Sequence, residues 1–72
     1  MRKDNQCKRI LEYMREHGSI TPMECFLKLR ITKLATRIGE MIRSGIPIHS
    51  EWVTDMDDDG NAVRYKRYWL VV

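Results

Sequence analysis

The sequence contains little of what disulfide-stapled, membrane-spanning or zinc-binding proteins are built from. Its two cysteines, Cys7 and Cys25, are far apart and form no Cys-x-x-Cys pair. A disulfide is possible on parity alone, but we expect reduced core thiols and no zinc site. No apolar run approaches the roughly 20 residues that cross a bilayer. No apolar block follows the charged start as in a signal peptide, so we expect a cytoplasmic protein.

Repeats, low-complexity tracts and interdomain linkers are also missing. With 72 residues the chain has room for one domain with a small core. Hydrophobic residues make up 43% of it, which is ordinary for a globular protein and argues against disorder throughout. We therefore expect residues 1–72 to form a single domain.

The net charge of +3 is unevenly distributed along the chain. Residues 1–50 carry a net charge of +5, residues 51–62 carry −5 without a single base, and residues 63–72 carry +3. A basic body suits a polyanionic partner such as nucleic acid. Taken alone, the charge favours an ordinary solvated surface.

Three segments have the apolar spacing of helices. Asp4 is expected to cap the first helix, which ends at Gly18 in a left-handed conformation. The run Thr21-Pro22-Met23-Glu24 is a capping box that opens a second helix over residues 22–29. After a turn of about three residues, Thr32 is expected to cap a third helix, which Gly45 closes. Such a short turn favours a steep crossing of the two helices, as in a helix-turn-helix.

The third helix, over residues 33–43, has one apolar side and one polar side. The residues expected on its core side are Leu34, Ala35, Ile38, Met41 and Ile42. The polar side then faces outward, as in a helix that reads the major groove of DNA.

The last third of the chain predicts a β-hairpin. Residues 46–53 and 63–71 are rich in β-branched and aromatic residues, and the segment between them, 54–62, contains Asp-Gly-Asn. Residues 19–20 are expected to form a short extended link with one or two ladder bonds. The hairpin aromatics are expected mainly in the core and in cross-strand contacts: Trp52, Tyr65, Tyr68 and Trp69. The predicted fold is α+β, a three-helix helix-turn-helix core with a C-terminal β-hairpin wing, known as a winged helix.

The outward face of the third helix carries the candidate DNA contacts. Lys33, Thr36 and Arg37 lie near its start and can donate to guanine or contact thymine in a major groove. Arg43 lies near its end and is a candidate for a phosphate contact. The alternative for each is a solvated helix face, and for Arg37 a structural role in which its stem covers Met41.

These motifs together resemble small helix-turn-helix proteins of phages and prophages. The resemblance lies in T-P-x-E, L-x-I, K-L-A-x-R-I, I-P-I and R-Y-x-R-Y-x-L, and it covers about residues 6–70. It implies a winged helix-turn-helix domain, presumed to bind double-stranded DNA, with Lys33 and Arg37 on the two basic positions of the third helix. Arg30 replaces the usual turn glycine, and a positive φ there would cost of order 1 kcal/mol. The predicted DNA-binding set is Arg30, Thr32, Lys33, Thr36, Arg37 and Arg43.

Four aspartates at the expected hairpin tip disagree with a phosphate contact there: Asp55, Asp57, Asp58 and Asp59. Either the hairpin points away from the duplex, or it serves another partner, or the chain does not bind DNA in the expected pose. The same stretch matches the first half of a calcium loop, but Lys66 stands where a bidentate Glu is required. A solubilising turn that discourages edge pairing is the simpler interpretation, and no metal is expected.

No nucleophile with a base and no glycine-rich phosphate loop is found, so neither an enzyme nor a cofactor is predicted. Two functions stay open. The first is a DNA-binding transcriptional regulator of phage or prophage type. The second is a protein-interaction module, such as a phage-encoded inhibitor or adaptor, acting through the acidic wing or the aromatic hairpin. A dimer would suit a palindromic site, but the sequence leaves the oligomeric state open.

Overall fold

Three helical segments are followed by a long β-hairpin. The computed structural model describes residues 3–71, with side chains from Asn5 onward. The elements are α1 (Lys3–His17), β1 (Ser19–Ile20), α2 (Pro22–Glu24) continued by a π-helical segment (Cys25–Leu29), α3 (Leu34–Arg43), β2 (Ile48–Met56) and β3 (Ala62–Leu70). This order confirms the predicted α+β fold.

The ends of α1 follow from local sequence. The helix already includes Lys3, so Asp4 lies within its first turn instead of preceding it, and the Asp4 side chain lies outside the described residues. At the other end Gly18 has φ +89°, and its N–H donates to the Met14 carbonyl oxygen at 2.7 Å. This is the predicted left-handed C-terminal cap, which only glycine adopts without strain.

The capping box at the start of α2 is confirmed. Thr21 Oγ1 accepts from the Glu24 N–H at 3.2 Å, and Glu24 Oε1 accepts from the Thr21 N–H at 3.1 Å. Pro22 occupies the first helical position, where no N–H is needed. The helical path then widens into the π-helical segment and ends at Arg30, which has φ +59° and ψ +32°.

The start of α3 differs from the prediction. Lys33 is the residue that caps the helix, and the Arg37 N–H donates to its carbonyl oxygen at 3.1 Å. The prediction that Thr32 caps this helix is wrong, because residues 31–33 are needed to turn the chain after Arg30 and α3 begins at Leu34. The other end is as predicted, with Gly45 at φ +96°.

The core lies between the three helices and the base of the sheet. Its buried apolar residues are Ile10, Met14, Ile20, Cys25, Ile31, Leu34, Ile38, Met41 and Tyr68. Cys25 is a buried thiol of this core, as predicted, whereas Cys7 is only partly buried and packs against the core. Ala35 and Ile42 were expected in this core but are exposed, because only a narrow stripe of α3 faces it and both positions lie at the edge of that stripe.

The three strands form one antiparallel sheet in the order β1-β3-β2. The hairpin ladder runs from Ile48 opposite Leu70 to Met56 opposite Ala62. Both strands reach further toward the turn than the predicted segments 46–53 and 63–71, so the connecting turn covers only residues 57–61 and Asp55 lies within β2. The ladder continues because Thr54 and Val63 are good strand formers near its outer end. Within residues 3–71 no helix is long and apolar enough to span a bilayer.

Candidate nucleic-acid interface

The outward side of α3 is polar and open. Lys33, Thr36 and Arg43 are all exposed there. A Cβ built on Gly39 would lie 3.7 Å from Arg43 Nη1, so the Arg43 guanidinium lies back over that glycine. The structure therefore brings three of the six predicted contacts together on one helix surface.

Two more predicted contacts lie in the turn that leads into α3. Arg30 and Thr32 are exposed on either side of the buried Ile31. Ile31 anchors the turn in the core, which leaves its two neighbours facing outward just before Lys33. The turn and the start of α3 thus form one continuous polar strip.

Arg37 is placed differently from the other predicted contacts. Its Nε donates to Gln6 Oε1 at 2.8 Å, and its Nη1 donates to both carboxylate oxygens of Glu40 at 3.0 Å. Its side chain is 15% exposed. These bonds tie α3 to α1, which favours the structural alternative for this residue.

One face of the hairpin is basic and aromatic. Trp52 lies opposite Lys66, and Thr54 lies opposite Arg64, so all four side chains share one face of the sheet. Arg64 Cζ lies 4.8 Å and Lys66 Nζ 5.4 Å from the centroid of the Trp52 ring. At these distances both cations are attracted to the ring face.

The prediction of a core position is wrong for Trp52, which is 60% exposed. Its ring makes cross-strand contacts with Arg64 and Lys66 instead, which is the other part of the prediction for the hairpin aromatics. Tyr68, nearer the base, is buried as predicted, and Tyr65 and Trp69 are partly buried.

A cleft of about 540 Å³ separates this hairpin face from α3. Ala35 lines it on the α3 side, and Trp52, Arg64 and Lys66 line it on the hairpin side. Ala35 directly precedes Thr36, so the cleft lies beside the start of α3 and has the basic face of the hairpin on its other side.

The element order, two helices joined by a short turn and then a β-hairpin, agrees with a known family. A family described as the winged helix-turn-helix domain matches residues 5–72. The chain belongs to this family. Searches of curated proteins and of solved structures give no match. In this winged helix-turn-helix domain, α2 and α3 with the turn between them form the helix-turn-helix, and the β2–β3 hairpin is the wing.

The acidic residues of the wing lie away from its basic face. Asp55 directly follows Thr54, whose side chain lies on the basic face. Because side chains alternate along a strand, Asp55 points to the opposite face, where its cross-strand partner is Val63. Asp57 belongs to the turn, where its Oδ1 accepts from the N–H groups of Asp59 at 3.0 Å and Asn61 at 2.9 Å. Asp58 and Asp59 are exposed at the tip. The conflict expected from the sequence is therefore confined to the tip and the far face.

The same geometry bears on the calcium alternative. The Asp57 carboxylate is used to close the turn, and Asp55 projects from a strand rather than from a loop. Among residues 3–71 no three His, Cys, Asp or Glu side chains are placed to hold one metal ion. The role that the structure shows for Asp57 is therefore to close the turn.

Sequence reasoning missed the wing side of the cleft. Arg64 and Lys66 are two positions apart in a predicted strand, which is enough to place them on one face. The same alternation continues to the buried Tyr68, so the face is the outward continuation of the core side of the sheet. The alternation of Arg64, Lys66 and Tyr68 could have revealed this face. However, both Tyr68 and Trp69 were expected in the core, and since neighbouring strand residues point to opposite faces, the sequence did not decide which face of the strand was the inner one.

Proposed function

We propose that this winged helix-turn-helix domain binds double-stranded DNA in a sequence-specific manner as a transcriptional regulator. In this proposal α3 enters the major groove and the basic face of the wing follows the adjacent backbone. The observation that carries the proposal is the open cleft that Ala35, near the start of α3, shares with the basic and aromatic face of the wing. We further propose that residues 1–72 act as one domain, in the cytoplasm, on a phage or prophage regulatory site.

Roles within the interface follow from position and chemistry. Lys33 and Thr36 lie at the start of α3, where side chains reach base edges, and they can donate to guanine or contact the thymine methyl group. Arg43, at the other end, is proposed to bind phosphate. Arg30 and Thr32, in the turn, are proposed to contact the backbone that borders the groove.

Trp52 is proposed to position the wing cations rather than to stack on bases. Its ring lies within 4.8 Å of Arg64 and 5.4 Å of Lys66, which restricts both flexible side chains before DNA arrives. A side chain that is already ordered loses less conformational entropy on binding. Arg37 is proposed to act indirectly, by fixing α3 against α1.

The proposal separates two classes of contact, and selection of duplexes from a random pool followed by affinity measurements tests it. Lys33→Ala and Thr36→Ala are expected to reduce discrimination between selected and random DNA, by about 1–3 kcal/mol if a bidentate contact is lost. Arg64→Ala and Lys66→Ala are expected to weaken binding to both DNAs equally and to lower the salt slope by about 1 each.

Lys8→Ala is the matched control, since Lys8 is exposed on α1 and its loss removes the same charge. It is expected to change affinity less than Arg64→Ala does. Equal effects of Lys8→Ala and Arg64→Ala would contradict a defined interface on the wing. The binding would then be explained by general charge attraction.

A second candidate function rests on the exposed acidic tip. A protein partner that recognises the wing would depend on Asp58 and Asp59, which are exposed on the turn. Under this alternative, replacing both with Asn removes partner binding, whereas the α3 changes above have little effect. Under the DNA proposal the opposite pattern is expected.

A further inference from the structure

The helix-turn-helix carries an apolar stripe that no other residue of the described part of the chain covers. Met23, Phe26 and Leu27 are 65%, 45% and 54% exposed. Their spacing of three and four residues places them on one side of α2 and the π-helical segment. Exposed apolar side chains grouped in this way mark interaction surfaces more often than isolated ones do.

The stripe runs into a groove between α2 and the far face of the wing. This groove of about 550 Å³ is lined by Pro22, Met23, Val63 and Tyr65, with Asp57 at its outer end. Val63 is itself 37% exposed. Val63 alternates with Arg64, so its side chain lies on the opposite face of the wing from Arg64. The groove meets the DNA-facing cleft at Pro22 and Tyr65, which line both.

The charges at this groove are predominantly acidic. Arg67 also lines it, but Arg67 Nη1 donates to Ser19 Oγ at 2.8 Å and lies 3.8 Å from Glu24 Oε2. That cation is already engaged within the molecule. The charges left for a partner are the aspartates of the turn, so the groove fits an apolar segment followed by a base.

The chain itself carries such a segment. The apolar stripe is followed directly by Lys28, which is exposed. Each copy therefore has both an apolar groove with an acidic outer end and an apolar helix side with a basic end. Surfaces that complement themselves in this way pair through a twofold axis, in which each copy gives and receives the same contacts.

We propose that the groove is occupied by the apolar stripe of a second copy of this chain, with Lys28 of each copy next to the Asp57–Asp59 turn of the other. The homodimer forms through α2 and the far face of the wing. It does not depend on DNA, so its failure would leave the proposed DNA binding untouched.

Sedimentation equilibrium of the full chain without DNA tests the proposal, from about 5 μM to about 500 μM, which brackets a dissociation constant typical of a weak dimer. We expect a reversible monomer–dimer equilibrium. Leu27→Asp is expected to raise the dissociation constant at least about tenfold. Ile42→Asp is the matched control, because Ile42 is 50% exposed but lies on α3, outside the stripe. It is expected to leave the equilibrium unchanged.

A charge exchange tests the pairing itself. Lys28→Glu gives a copy that is acidic at both contact points, and Asp58→Lys with Asp59→Lys gives a copy that is basic at both. Each is expected to associate more weakly than the natural chain, whereas an equimolar mixture of the two is expected to form heterodimers. A natural chain that stays monomeric throughout, or equal effects of Leu27→Asp and Ile42→Asp, would overturn the proposal and leave a different protein as the occupant of the groove.

Discussion

Arg30 is the residue with the least favourable backbone conformation in the described part of the chain. Among residues 3–71 it is the non-glycine residue with a positive φ, at +59°. The left-handed conformation costs a residue with a Cβ about 1–2 kcal/mol, so the strain that the sequence implied for a positive φ at this position applies. The chain accepts the cost because Ile31, the next residue, must turn into the core.

Replacing Arg30 with glycine is expected to raise the free energy of unfolding by roughly 0.5–1 kcal/mol. The relief of strain exceeds the greater conformational entropy that glycine gives the unfolded chain. Urea denaturation measures the change. Arg30→Ala, which keeps a Cβ, is the control and is expected to bring no such gain. A loss of stability in Arg30→Gly would show that the side chain contributes more than the backbone costs.

Cys25 makes the stability of the fold sensitive to alkaline pH. Its side chain is 0% exposed, and burial raises the pKa of the thiol from 9.0 to about 11, against a smaller lowering effect of Arg9. The folded chain therefore holds this proton more tightly than the unfolded chain does. The corresponding stabilisation, about 2–3 kcal/mol, is complete below pH 9 and is lost as the pH rises toward 11.

The measurement is urea denaturation of the natural chain and of Cys25→Ala at several pH values. The stability difference between them is expected to shrink by about 2–3 kcal/mol from pH 8 to pH 11. Burial also raises the pKa of Tyr13 and of Tyr68, but both tyrosines are present in both proteins and cancel in the difference. A difference that stays constant would contradict the burial of the thiol.

Among the elements, α1 and α3 are joined by side-chain bonds in which Arg37 takes part. It joins Gln6 on α1 to Glu40 on its own helix through bonds of 2.8 and 3.0 Å. Arg37→Ala is expected to lower the free energy of unfolding by about 1–2 kcal/mol, since charge-assisted hydrogen bonds that are only partly buried are lost.

Thermal or urea denaturation checks this expectation. Arg37→Lys is the informative comparison, because lysine keeps the charge but lacks the planar fork that reaches both partners. It is expected to recover less than half of the loss. A fully stable Arg37→Ala variant would return Arg37 to the set of side chains available for DNA.

How well each element could be predicted depended on how local its cause is. The capping box at Thr21 and the closing glycines at Gly18 and Gly45 are set by a few neighbouring residues, and all three are confirmed. Thr32 was predicted to cap α3, but Lys33 caps it, because the end of the π-helical segment decides how many residues the turn requires. Where that segment ends depends on tertiary packing, which the spacing of apolar residues does not predict.

The wing shows the same limit. Alternation in the sequence tells which strand residues share a face, but not how far the helices extend beneath them. Trp52 was therefore expected in the core as well as in cross-strand contacts, but it is 60% exposed and makes only the cross-strand contacts. The separation of Arg64 and Lys66 from the aspartates follows from register, which requires the length of the turn to be known.

At the scale of the whole molecule, charge is sorted by surface rather than spread evenly. The side of the wing that faces α3 is basic, and the tip and far side carry the excess of acid that residues 51–62 contribute. Under the proposals made here, the first surface meets a polyanion and the second meets a copy of the same chain. The acidic tip also disfavours DNA poses in which the wing enters a groove end-on.

The central claim is that this molecule neutralises phosphates with a defined set of exposed cations. Fluorescence anisotropy of a labelled duplex, titrated with the natural chain at salt concentrations from about 50 mM to about 200 mM, tests it most directly. With four cations proposed to contact phosphate, Arg30, Arg43, Arg64 and Lys66, log K is expected to fall linearly with log salt with a slope of about −3 to −4. No binding at the lowest salt, or binding that does not change with salt, would contradict the account.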